Sequence, residues 1–423
     1  MENNAIALLD CNNFYASCER VFDGAARRRP VVVLSNNDGC VVSRSNEAKE
    51  IGVTMGAPLF KVESLLDEHD AAVFSSNYAL YGDMSGRVMN LLYNFTPEIE
   101  IYSIDEAFLS LEPRKKSLEN LGHSIREKIH KWTGIPVSIG IAETKVLAKI
   151  ANKRAKRAAA KEAGVLNLYR SPKIEPILRE TPVEDLWGIG YRSQLKLRAQ
   201  QIANAWQLRE ADNRFVRRLL SVTGARIALE LRGVKCLPFE RVQTKKHNIA
   251  CTRSFGQAVS DYRTIREALL YFLTRAAEKL RRHELAASAV TVMLATDRFR
   301  PVPAPYANTA TYSAAAPSDG NRELQAWALR ALDKIFRPHY DYRKTGVILS
   351  GLVKSEKLTK RMYDDREFER QHQLMKAVDE INRKFGKDTV RFASVGATGA
   401  WRMKQTRKSP SYTTNWNELL KVS

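Results

Sequence analysis

Three carboxylates at the ends of apolar stretches constrain the fold of this chain more than any other feature. Asp10 ends the apolar residues 5–9, and the adjacent pair Asp105 and Glu106 interrupts a period-two apolar pattern over residues 98–111. This pattern predicts two strands that meet at the acidic pair, and the simplest assembly is a hairpin beside the first strand. Acids gathered in a folded core are unfavourable by several kcal/mol unless cations neutralise them. The cluster therefore predicts divalent metal, and its hard oxygen ligands favour magnesium.

The chemistry that uses such a cluster is phosphoryl transfer. Two ions ~3.5–4 Å apart can activate an attacking oxygen, bridge the phosphate and stabilise the leaving oxygen. Each acid taken alone is more often an ordinary strand-end carboxylate, so this interpretation depends on residues elsewhere in the chain that could bind phosphate.

The balance of charge indicates a polyanionic partner. The chain has 423 residues, a formal net charge of +21 and 44% hydrophobic residues, which is enough apolar mass for several cores. Nucleic acid is favoured over a membrane, because no amphipathic anchor and no uninterrupted apolar run of about 20 residues occurs. The polar start and the five scattered cysteines argue against a signal peptide, disulfides and structural zinc. We expect a soluble multidomain protein of the reducing cytoplasm.

Apolar patterns and turn residues predict the elements around the acids. A helical pattern opens after Asp10, residues 30–34 form a strand, and residues 43–49 are predicted as a helix that closes at Gly52. Residues 137–142 form another strand, and the threonine two residues later is a candidate N-cap for the helix that follows.

That helix carries Lys145, Lys149 and Lys153 on one face. Such a stripe is either a solvated helix surface or a set of point charges that face phosphates. We predict the second role for Lys149, because a triphosphate held at the acids keeps excess negative charge that a lysine can neutralise. The same role from the opposite side is predicted for three more residues: Ser43, Asn46 and Lys49.

A short segment with two closely spaced glycines predicts a DNA-binding element. Residues 187–190, Trp-Gly-Ile-Gly, precede a helical stretch from Tyr191 onward. The backbone N–H groups of Gly188 and Gly190 can approach a DNA phosphate at a helix N-terminus and hold it without reading bases. Gly-Ile-Gly alone is more often a turn, but a second such segment, residues 221–233, favours a helix-hairpin-helix.

A charged connector, residues 243–247, leads into a separate unit. It contains Lys245 and Lys246, and the pattern after it is strand, helix, strand, strand, helix, strand. This order predicts a four-stranded sheet backed by two helices. Arg253 lies on the first of these strands, as expected of a sheet that runs along a nucleic-acid backbone. The tail, residues 354–423, has a helical run but no catalytic signature, so we expect a partner or DNA module.

Eight motifs occur along the chain in one order and with consistent spacing. They are DCNNFYASCE (10–19), VVVLSNNDGC (31–40), SSNY (75–78), YSIDEAF (102–108), GIAETKVLAK (140–149), WGIG (187–190), CTRSFG (251–256) and SPSYTT (409–414). Together they resemble a Y-family translesion DNA polymerase of the UmuC type, and the resemblance covers essentially the whole chain.

This resemblance implies an α+β multidomain fold of the right-hand polymerase class. Its parts would be a ferredoxin-like palm (1–10 and 77–166), small fingers (11–76), a helix-hairpin-helix thumb (167–236), a linker (237–247), a βαββαβ little finger (248–353) and a C-terminal UmuC-type tail (354–423). The implied activity is that of a DNA-directed DNA polymerase: template-directed, error-prone translesion synthesis in a bacterial SOS-type response to DNA damage.

The resemblance also implies the catalytic residues. Asp10, Asp105 and Glu106 would hold two Mg²⁺ ions, for which Mn²⁺ could substitute, and the backbone carbonyl of Cys11 would be a further ligand. The primer 3′-hydroxyl would then attack the α-phosphate of a dNTP.

Sugar and triphosphate contacts map onto the chain in the same way. Tyr15, at the family's steric-gate position, would clash with a ribose 2′-hydroxyl, and Phe14 would support it. Many relatives carry tyrosine and arginine where this chain has Asn46 and Lys49, so an aromatic hydroxyl and a bidentate fork are missing. The implied triphosphate contacts are Ser43, Asn46, Lys49 and Lys149.

Family membership implies partners that the residues alone do not show. These are primed damaged DNA, a UmuD-like processed dimer and a RecA filament, with no membrane and a nucleoid-associated location in the cytoplasm. Residues 359–363 lack the glutamine of the usual sliding-clamp peptide and put Lys360 at an apolar anchor, which weighs against clamp binding. In the thumb, Gln201 stands where the hairpin turn usually has glycine, so that turn is expected to be strained or altered.

Three rival functions would use parts of the same sequence. A two-metal nuclease would use the acids and the basic surface, but it would not need the Phe14–Tyr15 floor or the triphosphate lysines. A catalytically inactive DNA-binding subunit would not need all three acids. A nucleotide cyclase on a similar palm would need neither thumb nor little finger.

Overall fold

The structure is a computed structural model that describes residues 4–113, 117–157, 164–240, 246–299, 304–355, 365–396, 399 and 401–420. The chain divides into two compact units, of which the first comprises Met1–Gln243 and Thr406–Ser423 and the second comprises Thr244–Gln405. Among the described residues, no helix has the length and apolar character required to cross a membrane.

The strands of the first unit form two sheets. They are β1 (Ala5–Cys11), β2 (Val31–Leu34), β3 (Val41–Arg44), β4 (Ala72–Ser75), β5 (Ile99–Ile101), β6 (Glu106–Leu111), β7 (Val137–Ala142) and β8 (Val165–Asn167). The larger sheet has the order β5-β6-β1-β7-β8 and the smaller one the order β3-β2-β4.

Helices pack around both sheets. They are α1 (Phe14–Phe22), α2 (Asn46–Glu50), α3 (Leu59–Glu68), α4 (Tyr78–Leu92), α5 (Leu118–Thr133), α6 (Lys145–Arg157), α7 (Ile174–Glu180), α8 (Tyr191–Ala199), α9 (Ala205–Glu210) and α10 (Asn213–Leu231).

Strand β1 is the centre of the larger sheet. Its residues are buried on both faces, which explains why they form an uninterrupted apolar run instead of an alternating pattern. It pairs antiparallel with β6 and with β7, and the register puts Asp10 opposite Glu106. The predicted hairpin beside the first strand is therefore confirmed, with Asp105 in the turn before β6.

Helix α6 packs against β7 through one glycine. The helix begins as predicted, because the Thr144 hydroxyl accepts a hydrogen bond from the backbone N–H of Leu147. At Gly140, a Cβ atom would meet the backbone of Ala148, Ala151 and Asn152. The missing side chain lets the helix approach the sheet closely enough for Asn152 to donate hydrogen bonds to the carbonyls of Leu8 and Ser138.

The predicted helix over residues 43–49 is wrong at its start. Ser43 and Arg44 belong to β3, which pairs with β2, and α2 begins only at Asn46. The Ser45 side chain accepts a hydrogen bond from the Ala48 N–H and caps the helix. The antiparallel pairing with β2, the preceding strand, has overridden the local helical pattern.

The helical hairpin contains the strained residue that the sequence predicted. Gln201, between α8 and α9, has φ of 59°, in the left-handed region that favours glycine. Helix α10 is also broken, at Ser221 with φ of 69°.

The second unit has the predicted βαββαβ order. Its elements are β9 (Ile249–Val259), α11 (Tyr262–Arg282), β10 (Leu285–Thr296), β11 (Ala307–Ser318), α12 (Asn321–Ile335), β12 (Tyr342–Lys354) and α13 (Asp365–Phe385). The four strands form an antiparallel sheet in the order β11-β10-β12-β9. Helix α13 is fixed to α11 by Arg281, which holds both carboxylate oxygens of Asp379 at 2.7 and 2.9 Å.

The tail predicted as one module, residues 354–423, is divided between the two units. Residues up to Gln405 belong to the second unit, whereas Thr406–Ser423 belong to the first. The returning segment extends the edge of β4, because the Ser75 N–H donates to the Arg407 carbonyl at 2.9 Å and Ser75 forms a parallel bridge with Lys408. The partners lie more than 300 residues away in sequence, so no local pattern could have predicted the division.

Candidate active site

The three acids lie together at one end of β1 and β6. The Cys11 N–H donates to the backbone carbonyl of Asp105 at 2.9 Å, which joins the acidic turn to the end of β1. Ser103 fixes the turn itself: its hydroxyl donates to Asp105 Oδ1 at 2.6 Å and accepts the backbone N–H of Glu106 at 3.0 Å. Ser103 was not predicted, although a serine two residues before an aspartate is a common turn signal.

Lysines of α6 neutralise two of the three carboxylates. Lys149 Nζ lies 3.0 and 2.9 Å from the two carboxylate oxygens of Glu106, and Lys156 Nζ lies 2.5 Å from Asp10 Oδ1. Burial raises the pKa of Asp10 to about 6, Lys156 opposes this shift, and the neighbouring Glu106 adds to it. Lys156 was not predicted, but it follows Lys149 by seven residues, two helical turns, and so lies on the same face.

The lysine stripe does not have a single role. Lys145 is buried, with 3% of its side chain exposed, and its ammonium lies 2.5 Å from Glu100. It therefore has neither of the two predicted roles, a solvated surface residue or a charge that faces phosphate. Lys153 pairs with Asp185 at 2.6 Å. Of these three lysines, Lys149 is the one that contacts the acid cluster, and its ammonium also lies 4.7 Å from the centre of the Tyr102 ring.

The cluster combines carboxylates with ammonium groups. In the described part of the chain, no three His, Cys, Asp or Glu side chains form a set that could hold a metal ion. The carboxylates of Asp10 and Glu106 instead face the two ammonium groups, which stand in for cations. The donors are hard oxygens from three acids, which is the chemistry that magnesium requires.

A cleft of about 370 Å³ opens beside the cluster. Its lining includes the predicted metal residues Asp10, Cys11 and Asp105 and the predicted nucleotide contacts Phe14, Tyr15, Ser43 and Lys49, together with Asn13, Val42, Arg44, Met55, Ile104 and Lys156. The structure therefore brings these predicted residues to one place, whereas Glu106, Asn46 and Lys149 are not among the residues that line the cleft.

Asn13 joins the predicted triphosphate contacts. Its side-chain oxygen accepts from Lys49 Nζ at 2.7 Å, its amide donates to Asn46 at 3.0 Å, and its backbone carbonyl accepts from the Ser43 hydroxyl at 3.3 Å. Asn13 has φ of 49°, a conformation that asparagine tolerates better than most residues. It was missed because its partners are 30 or more residues away.

The predicted gate residue Tyr15 lies on the floor of this cleft. Its ring stacks on that of Tyr81, with the centroids 4.4 Å apart and the planes inclined by 15°. Phe14, the preceding residue, is buried in the core and lies 5.8 Å from the Tyr15 ring.

The predicted DNA contacts are distributed over both units. In the first unit, Gly188 has φ of 87° and Gly190 immediately precedes α8. In the second unit, Arg253 lies on β9 and Lys246 contacts the imidazole of His283 at 2.5 Å. Lys245 and the sequence at the sliding-clamp position, residues 359–363, lie outside the described residues.

Comparison with known proteins gives the class of this fold. The solved structure of a Y-family DNA polymerase chimera of Dbh and Dpo4 superposes with a TM-score of 0.65 at 20% sequence identity, and the match covers 83% of this chain and 99% of that one. The fold is thus that of a Y-family polymerase, with palm, small fingers, helix-hairpin-helix thumb and little finger.

Sequence comparison then gives the family. Residues 9–153 match the impB/mucB/samB family, residues 246–363 match its C-terminal domain, and residues 372–422 match a domain of unknown function, DUF4113. Protein UmuC of Salmonella typhimurium is 40% identical over 98% of this chain and 99% of its own length. DNA polymerase IV of Bacillus velezensis is 24% identical over 92% of each chain. The chain belongs to the UmuC-type Y-family DNA polymerases.

Proposed function

We propose that this polymerase carries out error-prone, template-directed synthesis across damaged DNA, by nucleotidyl transfer to a primer 3′-hydroxyl, in a bacterial SOS-type response. The observation that carries the proposal is the cleft in which Asp10 and Asp105 face Tyr15, Ser43 and Lys49. A nuclease would need the acids and a basic surface. A polymerase also needs a floor for the sugar and cations for the triphosphate, and this cleft supplies both.

Asp10, Asp105, Glu106 and the Cys11 carbonyl are the proposed ligands of two Mg²⁺ ions, with Mn²⁺ as a substitute. Such ions, when bound, supply activation of the primer hydroxyl and neutralisation of the phosphates. Lys149 and Lys156 keep the acids neutralised in the structure, at 2.5 to 3.0 Å from carboxylate oxygens. With the acids holding such ions, Lys149 would be available to bind the triphosphate of the incoming dNTP.

Residues of the fingers would hold the triphosphate from the other side. Asn13 holds Ser43, Asn46 and Lys49 as one group, so the donors are oriented before the nucleotide binds. Burial, with the charges of Arg44 and Lys156, lowers the pKa of Lys49. A phosphate would reverse this effect by supplying the missing negative charge.

Tyr15 is the proposed steric gate, with Phe14 as its support. Its ring has one face on Tyr81 and an edge toward Tyr78, so it cannot move away easily from a ribose 2′-hydroxyl. We propose the domain boundaries given above for palm, fingers, thumb, linker and little finger.

The DNA contacts and protein partners belong to the same proposal. Gly188 and Gly190 would hold a backbone phosphate, and Lys245, Lys246 and Arg253 would do so from the connector and the little finger. The proposed protein partners are a UmuD-like processed dimer and a RecA filament, supported by the likeness to UmuC.

The test is the fate of a 5′-labelled primer on an abasic template, with magnesium, all four dNTPs, a UmuD-like dimer and activated RecA. The polymerase proposal expects the primer to lengthen past the lesion with wild-type protein and to stay unchanged with Asp10→Asn. Shortening of the primer would instead establish a nuclease. An unchanged primer with folded wild-type complex would establish a DNA-binding subunit.

A further inference from the structure

The C-terminal segment that returns to the first unit buries one serine against the helix that carries Tyr15. Ser409 is 7% exposed, and its hydroxyl donates to Glu19 Oε1 at 3.1 Å while it accepts from the Asn77 amide at 3.0 Å. Asn77 also donates to the backbone carbonyls of Ser409 and Pro410. The serine hydroxyl is therefore held both as a donor and as an acceptor.

Glu19 connects this serine to the floor of the cleft. It lies on α1 one turn after Tyr15, is fully buried, and accepts the Tyr81 hydroxyl at 2.5 Å on the same oxygen that Ser409 contacts. The Tyr81 ring, which is also fully buried, is the surface on which Tyr15 stacks. A continuous path of contacts thus runs from the tail through Glu19 and Tyr81 to Tyr15.

The surroundings of Glu19 make it depend on these two donors. Its second oxygen, Oε2, has no hydrogen-bond partner among the described residues. Burial raises the pKa of Glu19 to about 6; the hydrogen bonds from Tyr81 and Ser409 oppose the shift, and Asp23 adds to it. A buried carboxyl with so few donors is sensitive to the loss of either one.

The rest of the segment holds Ser409 in place. The Thr406 N–H and hydroxyl both contact Asp38 Oδ2, at 3.0 and 3.1 Å, and the Arg407 N–H donates to the Ser75 hydroxyl at 3.0 Å. Beyond Ser409, the Tyr412 ring stacks on Phe22 with the centroids 5.0 Å apart. Contacts on both sides therefore prevent the serine from shifting when its hydrogen bonds are perturbed.

We infer that Ser409, Glu19 and Tyr81 are positioning residues that hold the Tyr15 ring against Tyr81, and that the C-terminal tail thereby sets how strongly the polymerase prefers deoxyribonucleotides over ribonucleotides. The inference rests on the proposed role of Tyr15 as the steric gate. It assigns a role to part of the segment that matches a domain of unknown function.

The experiment measures kcat and KM for one dNTP and the matching rNTP on an undamaged primer–template, with the full chain and its accessory proteins. Ser409→Ala and Tyr81→Phe remove one hydroxyl each and keep the backbone and ring. The preference for dNTP, as the ratio of kcat/KM values, should fall about tenfold in each, since small displacements of a positioning group have large effects on rate. The change should come from the rNTP, whose KM falls, while kcat for the dNTP stays near the wild-type value.

Three comparisons make the test decisive. Ser411→Ala removes a tail hydroxyl that faces Glu418 instead of Glu19, and it should keep the wild-type preference. Glu19→Gln keeps an acceptor oxygen and should retain more of the preference than Glu19→Ala. If Tyr15→Ala lowers the preference but Ser409→Ala and Tyr81→Phe do not, the inference is overturned and the steric gate stands. If Tyr15→Ala leaves the preference unchanged, the steric gate itself is refuted.

Discussion

Gly140→Ala tests whether the close approach of α6 to β7 positions Lys149 and Lys156 at the acid cluster. An alanine Cβ would lie 2.7 Å from the carbonyl carbon of Ala151 and closer still to Asn152 N and Ala148 O, whereas ordinary contacts begin at about 3.4 Å. All three atoms belong to the helix backbone, so no side-chain rotation can relieve the overlap. The helix as a whole must move away from the sheet.

The expected loss of stability follows from two contributions. Overpacking of a well-packed interface is unfavourable by about 1–3 kcal/mol. Displacement of α6 also weakens the hydrogen bonds of Asn152 to Leu8 and Ser138, 3.3 and 2.8 Å long, at about 1 kcal/mol each. We expect the free energy of unfolding of the first unit to fall by about 3–5 kcal/mol.

Activity should fall more than stability alone would explain. Lys149 and Lys156 are both on α6, and a displacement of 1 Å at a catalytic group lowers rates about 10²-fold. Urea unfolding and single-nucleotide insertion by the folded fraction measure the two effects separately. Gly86→Ala is the matched control: its Cβ meets nothing within 4 Å, so it should stabilise α4 by about 0.5–1 kcal/mol. Wild-type stability and insertion rate in Gly140→Ala would refute this reasoning.

Three further predictions concern stability. Gln201→Gly should stabilise the hairpin by up to about 1 kcal/mol, because glycine relieves the left-handed strain at φ of 59°. Gln200→Gly, at an ordinary φ, should destabilise the hairpin. Equal effects of the two substitutions in thermal unfolding would contradict the assignment of strain to Gln201. Burial raises the pKa of Glu19 from 4.5 to about 6, so between these pH values the folded state binds a proton that the unfolded state has released. The free energy of unfolding should therefore fall as the pH rises from 4.5 to 6, by up to about 2 kcal/mol. Glu19→Gln removes this pH dependence. The unfolding free energy of the variant minus that of wild type should therefore increase as the pH rises from 4.5 to 6. A difference that stays constant over this pH range would count against a raised pKa of Glu19. Lys145→Met leaves Glu100 buried without its cation and should destabilise the first unit by about 3–5 kcal/mol in the urea assay. Lys153→Met removes a half-exposed ion pair and should change the stability by less than about 1 kcal/mol in the same assay.

The sequence predicted the helices and strands best where buried apolar residues recur at regular spacing. The strand over Val137–Ala142 and the βαββαβ order of the second unit follow directly from apolar periodicity. The strand β3 was missed because its residues, Val-Val-Ser-Arg, carry no decisive local signal, and it is the pairing with β2 that orders them.

The parts of the site that sequence analysis missed depend on long-range contacts. Lys145 and Lys149 are indistinguishable in sequence, yet one pairs with Glu100 in the core and the other with Glu106 in the acid cluster. The docking of Ser409 joins residues that are 332 and 390 positions apart. No periodicity encodes such contacts, so only the folded structure separates the lysine that pairs in the core from the lysine that pairs in the acid cluster.

The most direct test of the central claim, that the acids at the ends of β1 and β6 carry out nucleotidyl transfer, is a magnesium titration of single-dNTP insertion. Wild type and Asp105→Asn would be compared on one primed template with the accessory proteins present. Asp83→Asn, which alters a carboxylate on α4 that pairs only with Arg87 at 2.8 Å in the described structure, is the matched control. We predict magnesium-dependent insertion by wild type and Asp83→Asn, and none by folded Asp105→Asn at any magnesium concentration. Insertion by Asp105→Asn at the wild-type rate would contradict the account.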